Sequence, residues 1–166
     1  FTFDVLAEAS REDEDRLVKG LAELWHRRLI REQSENDYDF SHNKIREVVY
    51  NQLSAANRRL LHRRIAEAME TVHAADLDHM SQQIARQYEA AGVKEKALVY
   101  YRRAGQVAQQ LYANVEAIQL YSTGLRLLET LPDNPERAEQ ELSLQRQLSI
   151  VQRNIKGYAA TEVGQA

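Results

Sequence analysis

The hydrophobic residues in the first third of the chain follow helical spacing on both sides of one short alternating stretch. From Leu17 to Trp25 they recur at steps of three or four residues, which predicts an amphipathic helix. The polar turn at 34–37, Ser-Glu-Asn-Asp, separates two short runs that can pair as a β-hairpin. Helical spacing returns from Ile45. Helices, a hairpin and a further helix together predict a winged-helix-like unit over residues 1–53.

Two serines mark predicted helix starts. Ser10 stands three residues before Asp13, which is the spacing of a capping box, and acids fill positions 12–15, where a helix dipole favours negative charge. Ser54 precedes another helical pattern and can cap it. We therefore expect one helix to begin at Ser10 and a connecting helix to occupy 54–73.

The second half of the chain contains an internal repeat. Residues 96–105 align with residues 116–125, and the shared pattern is a small residue, an aromatic residue and another small residue. The matched pairs are Ala97 with Ala117, Tyr101 with Tyr121, and Ala104 with Gly124. A helix with this pattern cannot bury its apolar face alone, so stacked helical pairs are expected over 74–166.

Composition narrows the setting in which the protein works. The 166 residues carry a net charge of −3 and include no Cys, which excludes disulfides, thiolate catalysis and Cys-based zinc sites. We expect a cytoplasmic protein without a membrane-spanning segment. The first and last residues read as the interior of a domain, so we expect a fragment of a larger polypeptide whose repeats are truncated at the C-terminus.

One segment resembles a tetratricopeptide repeat. Ile84, Ala85, Tyr88 and Gly92, followed by the Ala97 helix, have the residue types and spacing of that family. The resemblance implies a tetratricopeptide-like α-α superhelix after the front unit. The expected fold class is therefore mainly α, with a partial winged-helix unit and a short β-hairpin followed by helical repeats.

The front unit resembles the winged-helix segment of bacterial STAND-type signal-transduction ATPases. The resemblance rests on Phe40-Ser41-His42, followed by Ile45-Arg46-Glu47-Val48-Val49-Tyr50 and Leu53. The predicted ATPases of this kind are joined to adenylate/guanylate cyclase or helix-turn-helix activator domains. In related switch proteins a histidine within a Met-His-Asp motif contacts the β-phosphate of ADP. His42 is the matching residue, with Ser41 and Asn43 beside it.

The resemblance implies a regulatory and protein-interaction segment that couples nucleotide state to a signalling or transcription output. No G-x-x-x-x-G-K-[ST] stretch occurs in the sequence, so we expect no enzymatic activity and no cofactor in this chain, with ADP or ATP held by the parent protein. Its partner would be another protein or another domain of the same polypeptide. No metal site is expected.

Each of two candidate sites has a purely structural role as the alternative to its functional role. His42 either contacts phosphate at the start of a helix or only fixes the corner between hairpin and helix. Arg58, Arg59 and Arg63 form a basic flank that either meets an acidic partner or is simply solvated.

A winged-helix unit also suggests DNA binding, as a module of a transcriptional regulator, as an alternative function. A plain tetratricopeptide-type protein-binding scaffold is a further alternative. The helix before the hairpin begins with four acids at 12–15, which would repel phosphate, so DNA is disfavoured as a partner. Five tyrosines of the second half occupy repeat-core positions, and most of them are predicted to be buried or half-buried rather than to stack on bases; they are Tyr88, Tyr100, Tyr101, Tyr112 and Tyr121.

Overall fold

A computed structural model describes the backbone of residues 1–34 and 36–163 and the side chains of 1–34 and 36–155. The elements in chain order are α1 (Phe3–Ser10), α2 (Glu14–His26), β1 (Ile30–Ser34), β2 (Asp37–Phe40), α3 (Asn43–Gln52), α4 (Ala55–Val72), α5 (Leu77–Ala91), α6 (Lys94–Gln110), α7 (Asn114–Leu128) and α8 (Pro135–Val163). The predicted fold class is confirmed: the protein is mainly α, with a short antiparallel hairpin inside a winged-helix-like unit and helical pairs after it.

Contacts divide the chain into two compact units. Unit 1 comprises 1–75 with 90–92, and unit 2 comprises 76–89 with 93–166. The finer division into a front unit, a connecting helix and a repeat region stays a prediction.

Unit 1 is organised around the hairpin and the α1–α4 contact. Strands β1 and β2 pair antiparallel, with Ile30 opposite Phe40, and α1 packs against α4. Ile30 is only 3% exposed and Leu21 of α2 is also buried. The predicted hairpin is therefore present at the predicted turn.

The start of α2 differs from the sequence prediction. Ser10 does not begin a helix but is the last residue of α1, and Arg11 adopts a left-handed conformation with φ 58° that breaks the helix. The cap of α2 is Asp13, whose side chain accepts a hydrogen bond from the backbone N–H of Arg16. The capping box predicted at Ser10 was wrong, because Asp13 supplies the same acceptor three residues later.

The start of α4 matches the prediction. The Oγ atom of Ser54 accepts a hydrogen bond from the N–H of Asn57 at 3.2 Å. The apolar residues of this helix are only partly buried: Ala68 and Met69 are buried, whereas Leu61 is 39% exposed.

In the second half of the chain the turn between consecutive helices recurs at an interval of 20 residues. Helix α5 is joined to α6 through Gly92 at φ 79°, and α6 is joined to α7 through Tyr112 at φ 58°. Matching hydrogen bonds surround the two turns: Val93 N–H donates to Tyr88 O, and Ala113 N–H donates to Ala108 O, each at 2.9 Å. The sequence repeat thus has a structural counterpart, in which α6 serves as the second helix of one pair and the first of the next.

The repeated residues form the core of unit 2. Ala97, Tyr101, Ala117 and Tyr121 are buried, as the small–aromatic–small pattern predicted. Helix α7 packs against α6 and α8, and α8 contributes the buried side chains Leu144 and Val151.

Candidate functional site

The corner between β2 and α3 places His42 at the start of a helix. His42 is the N-cap of α3, with extended backbone angles of φ −141° and ψ 134°, and its side chain makes no capping hydrogen bond. The backbone fixes the corner: Ser41 N–H donates to Leu29 O and Ile45 N–H donates to His42 O, each at 3.0 Å. The ring is exposed. Backbone hydrogen bonds therefore hold the corner, and the imidazole adds no capping hydrogen bond to them.

An open basic cleft lies beside this corner. It has a volume of about 610 Å³. Its lining residues come from the end of α2, the following turn, β1 and the approach to α3; they are Trp25, His26, Arg28, Ile30, Arg31, Ser41 and His42. Two arginines and two histidines therefore border one concave surface, and no carboxylate is among the described residues that line it.

The two arginines of this basic cleft differ in their partners. Arg31 has a guanidinium nitrogen 3.9 Å from Oδ2 of Asp39, a loose and exposed ion pair. Arg28 makes no ion pair with any residue in the described part of the chain, and its backbone is left-handed at φ 57°. Arg28 therefore offers an uncompensated positive charge near His42, and an anion is the ligand that such a surface favours.

Arg58, in the basic flank of α4, is committed to contacts inside unit 1. Its Nε donates to Leu53 O at 3.0 Å and a terminal nitrogen donates to Asn51 O at 3.2 Å. Its guanidinium lies 4.7 Å from the ring centroid of Tyr50. These contacts satisfy carbonyls at the C-terminal end of α3 and tie α3 to α4.

The two other predicted interaction arginines are more accessible. Arg59 is exposed and forms no ion pair with a described residue. Arg63 lies 3.8 Å from Glu67, which also lies 3.6 Å from Arg11. The assignment of Arg58, Arg59 and Arg63 to a protein partner stays a prediction. Of the three, Arg59 has no ion pair or hydrogen bond with a described residue.

Four of the five tyrosines between Tyr88 and Tyr121 are core residues of unit 2. Tyr88, Tyr100, Tyr101 and Tyr121 are buried, whereas Tyr112 is 78% exposed, so the prediction that most of the five are buried or half-buried is confirmed. The pKa of Tyr101 is raised above its ordinary value, first by burial and then by the hydrogen bond that its hydroxyl donates to Glu89. Burial also raises the pKa of Tyr121.

Other site chemistries find no support in the described part of the chain. No group of three or more His, Asp or Glu side chains there is arranged to hold a metal ion. Among the described helices, none combines the length and apolar character needed to cross a membrane. The first turn of α2 carries Glu14 and Asp15 beside the capping Asp13. The helix before the hairpin therefore presents acidic side chains at the end where a DNA-reading helix would present hydrogen-bond donors to DNA.

Sequence reasoning identified His42 but missed the residues around it. Trp25 was taken as part of the buried face of α2, yet it is 61% exposed and lines the basic cleft. Arg28 gave no signal beyond its charge, because a left-handed turn occupied by arginine has no sequence signature. The available clue was the basic run His26-Arg27-Arg28 directly after the only tryptophan.

Comparison with protein-family models, curated proteins and solved structures finds no match for this chain. The resemblance to STAND-type ATPases therefore stays a prediction that rests on the motifs quoted above.

Proposed function

We propose that this chain is a non-catalytic regulatory and protein-interaction segment of a STAND-type signal-transduction ATPase. In this proposal the winged-helix-like unit packs on a nucleotide-binding core elsewhere in the polypeptide, and His42 contacts a phosphate of ADP. ADP and ATP are ligands of the parent protein. The helical pairs bind a protein partner or another domain of the same polypeptide, and the protein acts in the cytoplasm.

The observation that carries the proposal is the free ring of His42 at the N-terminus of α3. The ring is exposed and makes no capping bond, so its hydrogen-bonding groups are available to a ligand. The first N–H groups of a helix lack acceptors within the helix, and the positive end of the helix dipole lies at the same end. Both favour an anion at the N-terminus of α3. A neutral imidazole can donate one further hydrogen bond there.

The surroundings of His42 agree with an anionic ligand. Arg28 lines the same cleft and has no ion pair with a described residue, and the lining that the structure describes includes no acid. A phosphate seated there would meet two donors from different elements of unit 1. Such a contact exists only when the nucleotide core lies against this face, so ADP would favour the packed arrangement over the released one.

The decisive experiment compares His42→Ala with the unmodified full-length polypeptide. We expect ADP affinity to fall about tenfold, as for a lost hydrogen bond to a charged group, and basal output of the effector domain to rise. His42→Gln keeps a donor and should retain part of the affinity.

The matched control is His79→Ala, which removes another exposed histidine from unit 2. It should leave ADP affinity unchanged. Equal ADP affinity in His42→Ala and wild type would remove His42 from the mechanism, and a full-length polypeptide that binds no nucleotide would remove the proposal itself.

A further inference from the structure

Trp25 separates two neighbouring concave surfaces of unit 1. One is the basic cleft described above. The other is an apolar groove of about 310 Å³ lined by Phe3, Val18, Leu21, Ala22, Trp25, Glu32 and Tyr38. The indole ring belongs to both linings, so an apolar surface and a cationic surface meet at one side chain.

The basic cleft and the apolar groove together form a surface, here called the Trp25 surface, that exposes large apolar side chains to water. Trp25 is 61% exposed and Val18 is 50% exposed. Large aromatic side chains at this exposure are typical anchors of protein interfaces, especially where a cationic rim adjoins them. A matching partner would present an apolar side chain flanked by carboxylates.

The chain itself contains such a segment in the first half of α8. Leu142 is 69% exposed, although α8 buries Leu144 two residues later. Glu136 and Glu139 precede Leu142 at steps of three residues along the helix, are exposed, and form no ion pair with any residue that the structure describes. The segment therefore offers an apolar side chain and two uncompensated carboxylates along one side of a helix.

We propose that the Trp25 surface of one chain binds the Leu142 segment of a second copy. Leu142 packs against the indole and the apolar groove, and the carboxylate of Glu139 lies against the arginines of the basic cleft. The basic cleft and this segment have complementary charges: no acid is among the described residues that line the cleft, and the Glu136–Leu142 stretch contains a single base, Arg137, which already lies near Asp133 and Glu141. The neighbouring apolar groove has one acid in its lining, Glu32, so the carboxylates of the segment are placed on the cleft side of the indole. The inference goes beyond the proposed function, because self-association needs no nucleotide; since both use Arg28, a second copy binds this cleft only when the nucleotide core does not lie against it.

The test measures self-association of the whole chain by sedimentation over a range of concentrations. Trp25 is the only tryptophan, so its fluorescence reports directly on this surface and should shift to shorter wavelength as the chains associate. Trp25→Ser and Leu142→Ser should each weaken association about tenfold or more, as expected for an anchor residue.

Leu111→Ser is the matched control. Leu111 is 68% exposed, almost the same as Leu142, but it lies outside the proposed contact. It should leave association unchanged. Equal weakening by Leu111→Ser and Leu142→Ser would show non-specific hydrophobic aggregation and overturn the proposal, as would a chain that stays monomeric at all concentrations.

Charge reversal tests the pairing itself. Glu139→Lys should weaken association about threefold to tenfold, and adding Arg28→Glu to it should restore most of the loss. Glu116→Lys reverses another exposed acid outside the contact and should have no effect. If Arg28→Glu fails to rescue Glu139→Lys, these two surfaces do not face each other.

Discussion

Tyr121 of α7 lies directly over Gly105 of α6, with no room for a side chain between them. A Cβ atom placed on Gly105 would lie 2.7 Å from Cδ1 and 2.8 Å from Cζ of Tyr121. Tyr121 is fully buried, so its ring cannot swing away into solvent. This contact sets the distance between α6 and α7, and the glycine is required there for space rather than for its backbone freedom.

We expect Gly105→Ala to lower the free energy of unfolding by about 1–3 kcal/mol, the usual cost of overpacking a core. The matched control is Gly124→Ala in α7, where an added Cβ would lie 3.1 Å from Cδ1 of Leu144, a longer distance than those to Tyr121, and should cost less. Chemical denaturation followed by circular dichroism measures both. Equal losses in the two variants would mean that the Tyr121 contact is not what makes Gly105 necessary.

Tyr112 occupies a turn position for which glycine is the favoured residue. Its φ of 58° corresponds to the φ of 79° at Gly92, in the equivalent turn 20 residues earlier. A left-handed conformation costs a non-glycine residue about 1 kcal/mol, and a ring that is 78% exposed returns little through packing. We expect Tyr112→Gly to raise the melting temperature and Gly92→Ala to lower it.

Tyr112→Ala serves as the control for this pair, because it removes the ring but keeps the unfavourable backbone conformation. It should give none of the gain in melting temperature seen with Tyr112→Gly. If Tyr112→Gly is destabilising, the tyrosine ring makes contacts that outweigh the strain of its backbone.

Buried Tyr101 makes the stability of the protein fall at alkaline pH. Burial and the hydrogen bond to Glu89 raise the pKa of Tyr101 in the folded state above the unfolded value of about 10. The neutral hydroxyl is therefore favoured by folding, and its contribution is complete below pH 10. Above that pH the unfolded chain loses the proton while the folded chain keeps it, so the free energy of unfolding decreases as pH rises.

Tyr101→Phe removes the titrating group and keeps the ring. We expect the free energy of unfolding of Tyr101→Phe to decline less steeply between pH 9 and 11.5 than that of the wild type, although the variant is less stable at pH 8 because the hydrogen bond is gone. Denaturation at a series of pH values measures the two slopes. Identical slopes would show that Tyr101 ionises freely in the folded protein.

The elements of the fold could be predicted where local pattern and tertiary packing agree. Ala97, Tyr101 and Tyr121 occupy helix faces that are apolar in sequence and buried in the structure. The hairpin could be predicted because the polar turn at 34–37 leaves few alternatives.

Two kinds of feature could not be predicted: whether another element covers a helix face, and where the backbone adopts a left-handed conformation. Periodicity placed Trp25 on the apolar face of α2, but it cannot tell whether another element covers that face. The left-handed residues Arg11, Arg28 and Tyr112 have side chains that do not favour that conformation, so sequence alone gives no warning of them. The basic cleft was missed for this reason, since it depends on both Trp25 and Arg28.

Arg58 and Arg59 are neighbours on α4 whose substitutions should have different consequences. Arg58 donates to Leu53 O and Asn51 O and lies over the Tyr50 ring, whereas Arg59 is exposed. We expect Arg58→Ala to destabilise the protein by about 1–2 kcal/mol, because two carbonyls at the end of α3 lose their donor. Arg59→Ala should leave stability within about 0.5 kcal/mol of the wild type.

The same pair tests the predicted role of the basic flank in partner binding. Arg59→Ala should weaken binding of an acidic partner without a change in unfolding, so affinity and stability separate in this variant. Arg58→Lys keeps the charge but loses the planar guanidinium and its two-point contact, and it should lose most of the stability that Arg58→Ala loses. Thermal unfolding of the three variants measures this directly. If Arg58→Lys is as stable as the wild type, positive charge alone holds α3 to α4, and the carbonyl contacts contribute little.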